Sequence, residues 1–274
     1  MPVIGMSQGS KIGVRAGLNY AWFSGPLEVN EDYSKSNGFH FGLNYSYYFN
    51  DYLGLRLELL YNQKGTKQSY LGDTYAILRR GGERIYDFGK TDYQLDISNA
   101  YLSIPVMISV QLSRKIEVFG GVNVDFLIGP TGRGRVDYVS IDNPGRIEYI
   151  RSFEYNYNSD LAGQASSLSG ATTAQIVDGT RLDVPRIIGA YYFLNEAEKD
   201  GNRFRKTDLS LEAGLNYFIN SGFFVGASFS YGLIDPTRRE LDISLGELNN
   251  DNSFIFRDDK DHQLSLQFSI GFRF

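Results

Sequence analysis

The sequence predicts an all-β protein, an eight-stranded antiparallel up-and-down transmembrane β-barrel with long extracellular loops. The first observation is alternation: reading back from Phe274, every second residue is apolar, namely Phe272, Ile270, Phe268, Leu266 and Leu264. The second is composition, because 20 Tyr, 19 Phe and 30 Gly among 274 residues suit strands and interfacial belts rather than helices. The third is that no stretch approaches the roughly 18 uninterrupted apolar residues of a transmembrane helix. A barrel with hydrocarbon outside and polar groups inside needs this pattern.

Eight segments alternate between apolar and polar residues. They cover residues 11–23, 38–50, 53–62, 100–112, 116–128, 208–219, 223–233 and 264–274. Short turns follow the second, fourth and sixth segments, and long connections follow the first, third, fifth and seventh, at residues 24–37, 65–93, 129–206 and 235–260. Outer-membrane barrels have short periplasmic turns and long extracellular loops, so this order predicts that both termini are periplasmic. Leu95 and Ile97 alternate in the opposite phase to the segment that follows, which predicts a bulge near Ser98 or Asn99.

The chain divides into an N-terminal periplasmic segment, residues 1–10, and a single barrel domain, residues 11–274. Residues 3–8 resemble the end of a signal peptide, with an apolar stretch followed by small residues before Gln8. The sequence leaves two interpretations open: the remnant of a removed signal, or a native N-terminal segment.

The apolar faces of the segments are predicted to point outward into lipid. A soluble lipocalin-type barrel also alternates, but its outer face would be polar and charged. Here the polar face consists mainly of Gly, Ser and Asn, which suit a narrow filled lumen, and the apolar face grades from aromatic at its ends to aliphatic in the middle. A net charge of −5 excludes nucleic acid as a leading partner. The absence of cysteine excludes disulfides and thiolate metal sites.

Charged residues on the polar face are predicted to form an ion-pair network in the lumen. They are Arg15, Arg56, Glu58, Glu117, Asp125, Glu212 and Arg273. An eight-stranded barrel is just wide enough for its own side chains, so charges of both signs are expected to pair and close the lumen. A narrow solute channel is the alternative.

Two histidines, His40 and His262, are the candidates for catalysis near the outer rim, where a nucleophile would need a base within hydrogen-bond reach. No motif ties a serine to either of them, so an enzyme acting on lipid or peptide is an alternative rather than the main prediction. Residues 196–201 imitate half of a calcium loop, but its twelfth position is Thr207 rather than a carboxylate. Residues 132–134 lack the rest of a phosphate-binding signature. We therefore expect no cofactor and no metal.

The long connections are the candidate partner surface. Residues 135–141 and 146–155 alternate around a turn at 142–145, which predicts a hairpin that continues the barrel wall. Exposed tyrosines are typical of binding surfaces; those expected here are Tyr138, Tyr149, Tyr155, Tyr157, Tyr191 and Tyr192. Residues 235–260 are acidic and rich in Asn, and two interpretations stay open: burial against a partner, or packing between loops.

Three motifs resemble the PorT-like outer-membrane β-barrel family of Gram-negative bacteria. They are Ala-Tyr-Leu-Ser-Ile-Pro-Val at 100–106, Lys-Ile-Gly-Val-Arg-Ala-Gly-Leu-Asn at 11–19, and Gly-Phe-Arg-Phe at 271–274. The resemblance covers all eight segments but not the loops. It implies a location in the outer membrane, with lipid and other outer-membrane or periplasmic proteins as partners. It offers no catalytic residues, and it implies an accessory role in a larger assembly, in protein secretion or outer-membrane biogenesis. The aromatic end of the last segment implies an assembly signal at Phe272 and Phe274.

Overall fold

A computed structural model describes residues 9–80, 83–157, 175–177, 180–182, 187–189, 203–238 and 242–274. Their strands are β1 (Ser10–Ser24), β2 (Glu31–Ser34), β3 (Ser36–Tyr48), β4 (Leu53–Arg80), β5 (Glu83–Gln111), β6 (Ile116–Ser140), β7 (Glu148–Asn156), β8 (Gln175–Val177), β9 (Thr180–Leu182), β10 (Ile187–Gly189), β11 (Thr207–Phe218), β12 (Phe223–Gly232), β13 (Ile243–Leu248), β14 (Phe254–Phe256) and β15 (His262–Arg273). Nothing in this part of the chain is a helix that could cross a membrane. Residues 1–8, including the predicted signal remnant, lie outside the described residues.

Eight of the strands form a closed ring. Its order is β1, β3, β4, β5, β6, β11, β12, β15, with every neighbouring pair antiparallel. The ring closes because β15 pairs with β1, from Gly13 opposite Arg273 to Ser24 opposite His262. Closure gives every strand two partners, as an apolar surrounding requires. The predicted fold class is confirmed.

We call the end of the ring where β1 begins and β15 ends the turn end; it also holds the short connections 49–52, 112–115 and 219–222. The opposite end is the loop end. The expectation that residues 65–93 form a loop is wrong. Residues 65–80 belong to β4 and residues 83–93 to β5, and these strands pair in one unbroken register from Leu53 opposite Val110 to Arg80 opposite Glu83. The two strands therefore continue far beyond the ring.

This continuation, with parts of two further strands, forms what we call the projecting sheet: residues 67–80, 83–96, 131–140 and 148–156. The predicted hairpin around residues 142–145 is present, since β6 and β7 pair from Val139 opposite Glu148 to Thr131 opposite Asn156. Gly145 lies in its turn with a φ of 72°, a conformation that glycine adopts without strain. Three neighbouring ring strands thus extend the barrel wall outward.

The predicted bulge in β5 near Ser98 or Asn99 is absent, because alternate residues stay inside from Leu95 to Ser109. What changes along β5 is the interior: Leu95 and Ile97 lie in an apolar cluster, whereas Ser103 and Ser109 lie in the polar lumen. An irregularity does occur in the pairing of β5 with β6, where the register steps between Ala100 and Tyr101. Its extra residue is Ile128 on β6, the neighbouring strand.

The outer face of the ring is apolar. Exposed aliphatic side chains such as Leu57 and Val106 lie in its middle. Towards the loop end, Phe39, Phe41 and Tyr61 stack with ring centroids 5.3 to 6.2 Å apart. At the turn end, the rings of Phe272 and Phe274 are 5.0 Å apart and exposed. Aromatic ends around an aliphatic middle are what a lipid-facing wall requires.

Candidate functional site

The layer of the lumen nearest the turn end is organised around the carboxylate of Glu117. Arg273 donates to both of its oxygens, at 2.8 and 2.9 Å, in the bidentate arrangement that favours strong pairing. Asn216 donates to one oxygen at 2.9 Å and Tyr48 to the other at 2.8 Å. A guanidinium nitrogen of Arg56 lies 3.6 Å away. Four side chains from four strands thus converge on one buried acid.

The middle layer joins two arginines to two glutamates. Glu58 accepts from Arg56 Nε at 2.6 Å, and its second oxygen lies 3.2 Å from Arg15 Nε. Arg15 also donates to Gln267 at 3.0 Å and lies 3.8 Å from Glu212. Because Arg56 contacts both Glu58 and Glu117, this layer is continuous with the one below it.

The third layer, towards the loop end, pairs Lys64 with Asp125 at 2.7 Å. Asp125 also accepts from Ser103, and from Asn123 at 3.0 Å. Asp208 lies directly opposite Asp125 on the neighbouring strand. Sequence reasoning left Lys64 and Asp208 out of the network. For Lys64 the reason is that the third alternating segment was ended at Asn62, two residues before it, whereas β4 continues to Arg80.

The three layers bring together all seven predicted lumen charges and the two that were missed. Each of the nine side chains is at most 4% exposed. Charged side chains that line a water-filled passage would be exposed to solvent. Because these nine are buried, the three layers fill the lumen.

His40 holds a buried hydrogen-bonded series in the lumen. Its Nδ1 lies 2.6 Å from Asn19 Oδ1, and its Nε2 lies 2.8 Å from Ser269 Oγ. This is the order of a serine nucleophile, a base and a residue that orients the base. All three side chains are buried among the polar layers, and Asn19 also donates to Asn62 at 2.8 Å. Ser269 lies beside His40 because β15 pairs with β1 and β1 pairs with β3, so that Gly17 is opposite both residues. Alternation within one strand does not predict this contact.

The second candidate histidine lies apart from His40, at the loop end of the ring. Nδ1 of His262 is 3.0 Å from the carbonyl oxygen of Gly232, and its ring stacks on Tyr231 with centroids 5.2 Å apart. These contacts attach the start of β15 to β12. The structure therefore does not bring the two histidines into one site.

An apolar cap closes the barrel above the ionic layers. Its buried members are Phe23, Leu95, Ile97, Phe153, Tyr155, Tyr157 and Phe204. The expectation that the tyrosines of this region are exposed is wrong for the four described ones: Tyr138, Tyr149, Tyr155 and Tyr157 are all buried. They point to the inner face of the projecting sheet, where Tyr138 stacks on Tyr149 at 5.0 Å and donates to Asp87 at 2.7 Å. Tyr191 and Tyr192 lie outside the described residues, as does the calcium-like segment 196–201.

The outer face of the projecting sheet carries an apolar patch, which we call the outer patch: Phe88, Val139, Ile141 and Ile150. These side chains are 40 to 56% exposed, and the amide of Ile141 donates to the carbonyl of Phe88 at 2.8 Å. An open groove of about 480 Å³ lies beside it, lined by Leu71, Asp73, Lys90, Asp92 and Asp137 among others. The phosphate-like segment 132–134 is regular strand within β6.

Residues 242–261 form a strap, a name we keep below, that lies across β4 and the first connection. Ser244 and Leu245 accept hydrogen bonds on their carbonyls from Tyr75 and Thr74, at 3.0 and 2.6 Å. The amide of Leu245 donates to Glu28 at 2.8 Å. Ile243 and Phe254 pack on Ile77. The acidic segment thus packs on the rest of the chain, which is one of the two interpretations left open, and its burial against a partner stays a prediction.

Buried carboxyl groups lie beneath the strap. Arg203 donates to Asp242 at 2.6 Å, and Arg257 contacts Glu31 at 2.8 Å and Asp259 at 2.5 Å. Burial, together with the carboxylates of Asp242, Asp259 and Asp235, raises the pKa of Asp261 to about 7. Burial and the nearby Asp242 raise the pKa of Asp259 to about 6. Within the described ranges, no three His, Asp or Glu side chains are arranged to hold a metal ion.

Comparison with known proteins identifies the family. Three solved structures resemble the fold, with TM-scores of 0.32 to 0.35: Ail, the attachment invasion locus protein of Yersinia pestis (13% identity, 96% of this chain and 98% of that chain covered), Neisserial surface protein A (12%, 97% and 99%) and OprG of Pseudomonas aeruginosa (10%, 97% and 97%). No curated protein matches the sequence. The sequence matches the family described as outer membrane protein beta-barrel domain over residues 6–238. Since that match spans most of the chain, the protein belongs to the outer membrane protein beta-barrel domain family.

Proposed function

We propose that this outer-membrane barrel is a non-enzymatic accessory subunit of a larger outer-membrane assembly, and that it binds its partner through the projecting sheet. The observation that carries the proposal is the outer patch, Phe88, Val139, Ile141 and Ile150, on a face that projects beyond the apolar wall of the ring. The filled lumen supports it too, because the protein's function then lies on its surface. The resemblance to PorT-like proteins favours an assembly in protein secretion or outer-membrane biogenesis.

The outer patch has the make-up of a protein-binding surface. Charged residues border it: Lys90 and Glu148 lie opposite Val139 on its two neighbouring strands, and Asp137 lies opposite Ile150. Apolar surface rimmed by polar residues marks interaction sites on soluble surfaces. On the lipid-facing wall an apolar patch needs no partner, because lipid covers it. The outer patch instead lies on the projecting sheet, beyond that wall. We propose that a partner protein covers it.

The test compares recovery of a partner by variants of the patch. Tagged protein is purified from native membranes in mild detergent, and co-migrating proteins are identified. We expect a partner with the unaltered chain that is lost from the Phe88→Ser, Ile150→Ser double variant. Leu71→Ser, an exposed apolar change beside the patch, is the matched control and retains the partner. Undiminished recovery by the double variant would contradict the proposal, as would the lack of any specific partner of the unaltered chain.

A second candidate function is hydrolysis of lipid or peptide, which the series Ser269, His40 and Asn19 favours by its geometry. Burial argues against it, because a nucleophile has to reach its substrate. The discriminating experiment is labelling by a fluorophosphonate, which reacts with activated serines. On our proposal Ser269 stays unlabelled and Ser269→Ala changes only stability. Labelling that is lost in Ser269→Ala would show an enzyme instead.

A further inference from the structure

Among the described residues, five carboxyl groups and two guanidinium groups converge beneath the strap. They are Glu31, Asp235, Asp242, Asp259 and Asp261, with Arg203 and Arg257. They come from the strap itself, from β2, and from the residues beside β11 and β12. If every group were ionised, negative charge would exceed positive charge in a part of the protein that is largely closed to water. Such an excess has to be compensated.

The arginines compensate only part of the excess. Arg203 pairs with Asp242, and Arg257 is shared between Glu31 and Asp259. Asp235 is used locally, accepting from the amide and hydroxyl of Thr237 at 2.9 and 2.7 Å. Asp261 is 1% exposed, and within the described part of the chain its Oδ1 has no hydrogen-bond partner. Among the described residues, Asp261 is therefore a carboxyl group that makes no ion pair within 4 Å with either arginine and whose Oδ1 accepts no hydrogen bond.

The first connection closes directly over Asp261. A Cβ atom on Gly25 would lie only 2.3 Å from Asp261 Oδ1, so only a glycine lets the backbone come so near. The charged groups that act on Asp261 are the carboxylates of Asp242 and Asp259 from the strap, Asp235 from the β12 side, and Arg203 from the β11 side. From β2 it faces the phenol of Tyr33, whose pKa is itself raised by burial and then by Asp261. Burial and three neighbouring carboxylates, opposed by a single guanidinium group, make the ionised form of the Asp261 carboxyl group unfavourable.

We propose that protons bound by the carboxyl groups beneath the strap, chiefly that of Asp261, hold the strap closed, and that the strap opens as the pH rises. In the closed form the pKa of Asp261 is about 7, against an ordinary 3.8 once water reaches the group. The closed form thus binds the proton more tightly. Its proton-linked stability is complete below about pH 4 and is lost progressively as the pH rises through 7. One linked proton changes the opening equilibrium by at most about tenfold per pH unit.

Opening the strap would uncover one side of the projecting sheet. Thr74 and Tyr75 of β4 would lose the strap carbonyls to which they donate, and Ile77 would lose its contact with Phe254. The lumen would stay closed, because the hydrogen bonds and ion pairs described for its three ionic layers join ring residues to one another and involve no strap residue. The device therefore controls access to β4 rather than passage through the barrel.

Hydrogen–deuterium exchange of the barrel in lipid nanodiscs tests the proposal. Protection of the amides of Ile243–Leu248 and Phe254–Phe256 is measured between pH 5 and 8.5, after correction for the intrinsic exchange rate. We expect protection to fall by roughly tenfold or more across this range. Asp261→Asn, which mimics the protonated carboxyl, should keep the strap protected at pH 8.5. Asp251→Asn, an exposed change in the β13–β14 turn, is the matched control and should retain the pH dependence.

Three outcomes would overturn the proposal: protection that does not depend on pH in the unaltered chain, pH dependence that is undiminished in Asp261→Asn, or full protection at pH 8.5 restored by millimolar Ca²⁺ or Mg²⁺. The last would mean that a cation, not a proton, compensates the carboxylates. Heat-resistant migration on gels verifies that each variant has assembled its barrel. If Asp261→Asn does not assemble, Asp259→Asn makes the same test of the same cluster, with a smaller expected gain in protection.

Discussion

Leu57 and Leu71 are both outward-facing residues of β4, yet they meet different surroundings. Leu57 lies in the middle of the ring opposite Val106, whereas Leu71 lies on the projecting sheet opposite Asp92. The outer face is apolar around the first and mostly charged around the second. For these two residues, position along the strand rather than side-chain type decides whether a substitution is tolerated.

We predict that Leu57→Arg lowers the stability of the barrel by about 2–4 kcal/mol, the cost of a lipid-facing arginine at mid-depth. Val106→Arg should behave alike. Leu71→Arg, the matched control on the same strand, should change stability by less than about 0.5 kcal/mol. Urea titrations in lipid, followed by heat-resistant gel migration, measure all three. Equal stability of the Leu57 and Leu71 variants would mean that the apolar face does not contact lipid.

We predict that Glu117→Gln destabilises the barrel by about 3–5 kcal/mol, because it leaves the buried guanidinium of Arg273 without its carboxylate. The amide keeps the shape of the side chain, so packing is nearly unchanged. Asp92→Asn, an exposed neutralisation on the projecting sheet, is the control and should be close to neutral. The same urea titration measures the stability of the Glu117→Gln and Asp92→Asn variants. A loss below about 1 kcal/mol would show that the turn-end layer stabilises the fold little.

At the scale of the element, β5 shows what alternation can and cannot reveal. In the ring strands, alternation predicts correctly which residues point inward, and the seven lumen charges on the other strands were identified in this way. Alternation does not predict what an inward residue meets there. Leu95 and Ile97 point inward as Ser103 does, but they lie in an apolar cap instead of a polar lumen. The buried tyrosines escaped prediction for the same reason, since a sheet outside the membrane packs its apolar face inward.

Contacts between elements were beyond the reach of the sequence. Pairing Ser269 with His40 depends on three strands from opposite ends of the chain. The strap depends on β4 continuing well past the predicted end of its segment. Periodicity reports which face of a strand is apolar, but not how far a strand extends when both faces change surroundings.

We predict that shortening residues 235–260 to a few residues leaves the ring assembled. None of the ring ladders uses that segment, whose β13 and β14 pair only with each other, and long surface loops add little closure entropy. Heat-resistant migration should persist, while amides of β4 near Tyr75 should exchange faster for lack of the strap. A chain that no longer assembled would show that the strap is needed for folding.

At the scale of the whole molecule, we propose that the turn end is periplasmic, because outer-membrane barrels have short periplasmic turns and long extracellular loops. The chain has no cysteine, so single cysteines report cleanly. We predict that Asp251→Cys at the loop end reacts with a membrane-impermeant maleimide on intact cells, whereas Arg114→Cys at the turn end reacts only after lysis. Both positions are exposed, so accessibility to the reagent is matched. The reverse labelling pattern would show that the turn end is extracellular and would contradict this orientation.

The three ionic layers predict that the barrel does not conduct. Reconstituted into planar bilayers, it should show no steady current at moderate voltages, because nine buried charges fill the lumen. A stable open pore of porin size would favour the channel alternative and contradict the filled lumen.

The seam between β1 and β15 has a consequence for the order of folding. Hairpins such as β3–β4 and β11–β12 join neighbouring stretches of chain, but the seam joins the two ends, and Arg15 reaches across it to Gln267. Contacts so distant in sequence carry the largest cost in chain entropy and form late. Until β15 arrives, both β1 and β12 present unpaired backbone edges, which hydrocarbon does not tolerate. We therefore expect entry into the bilayer and completion of the ring to be one event.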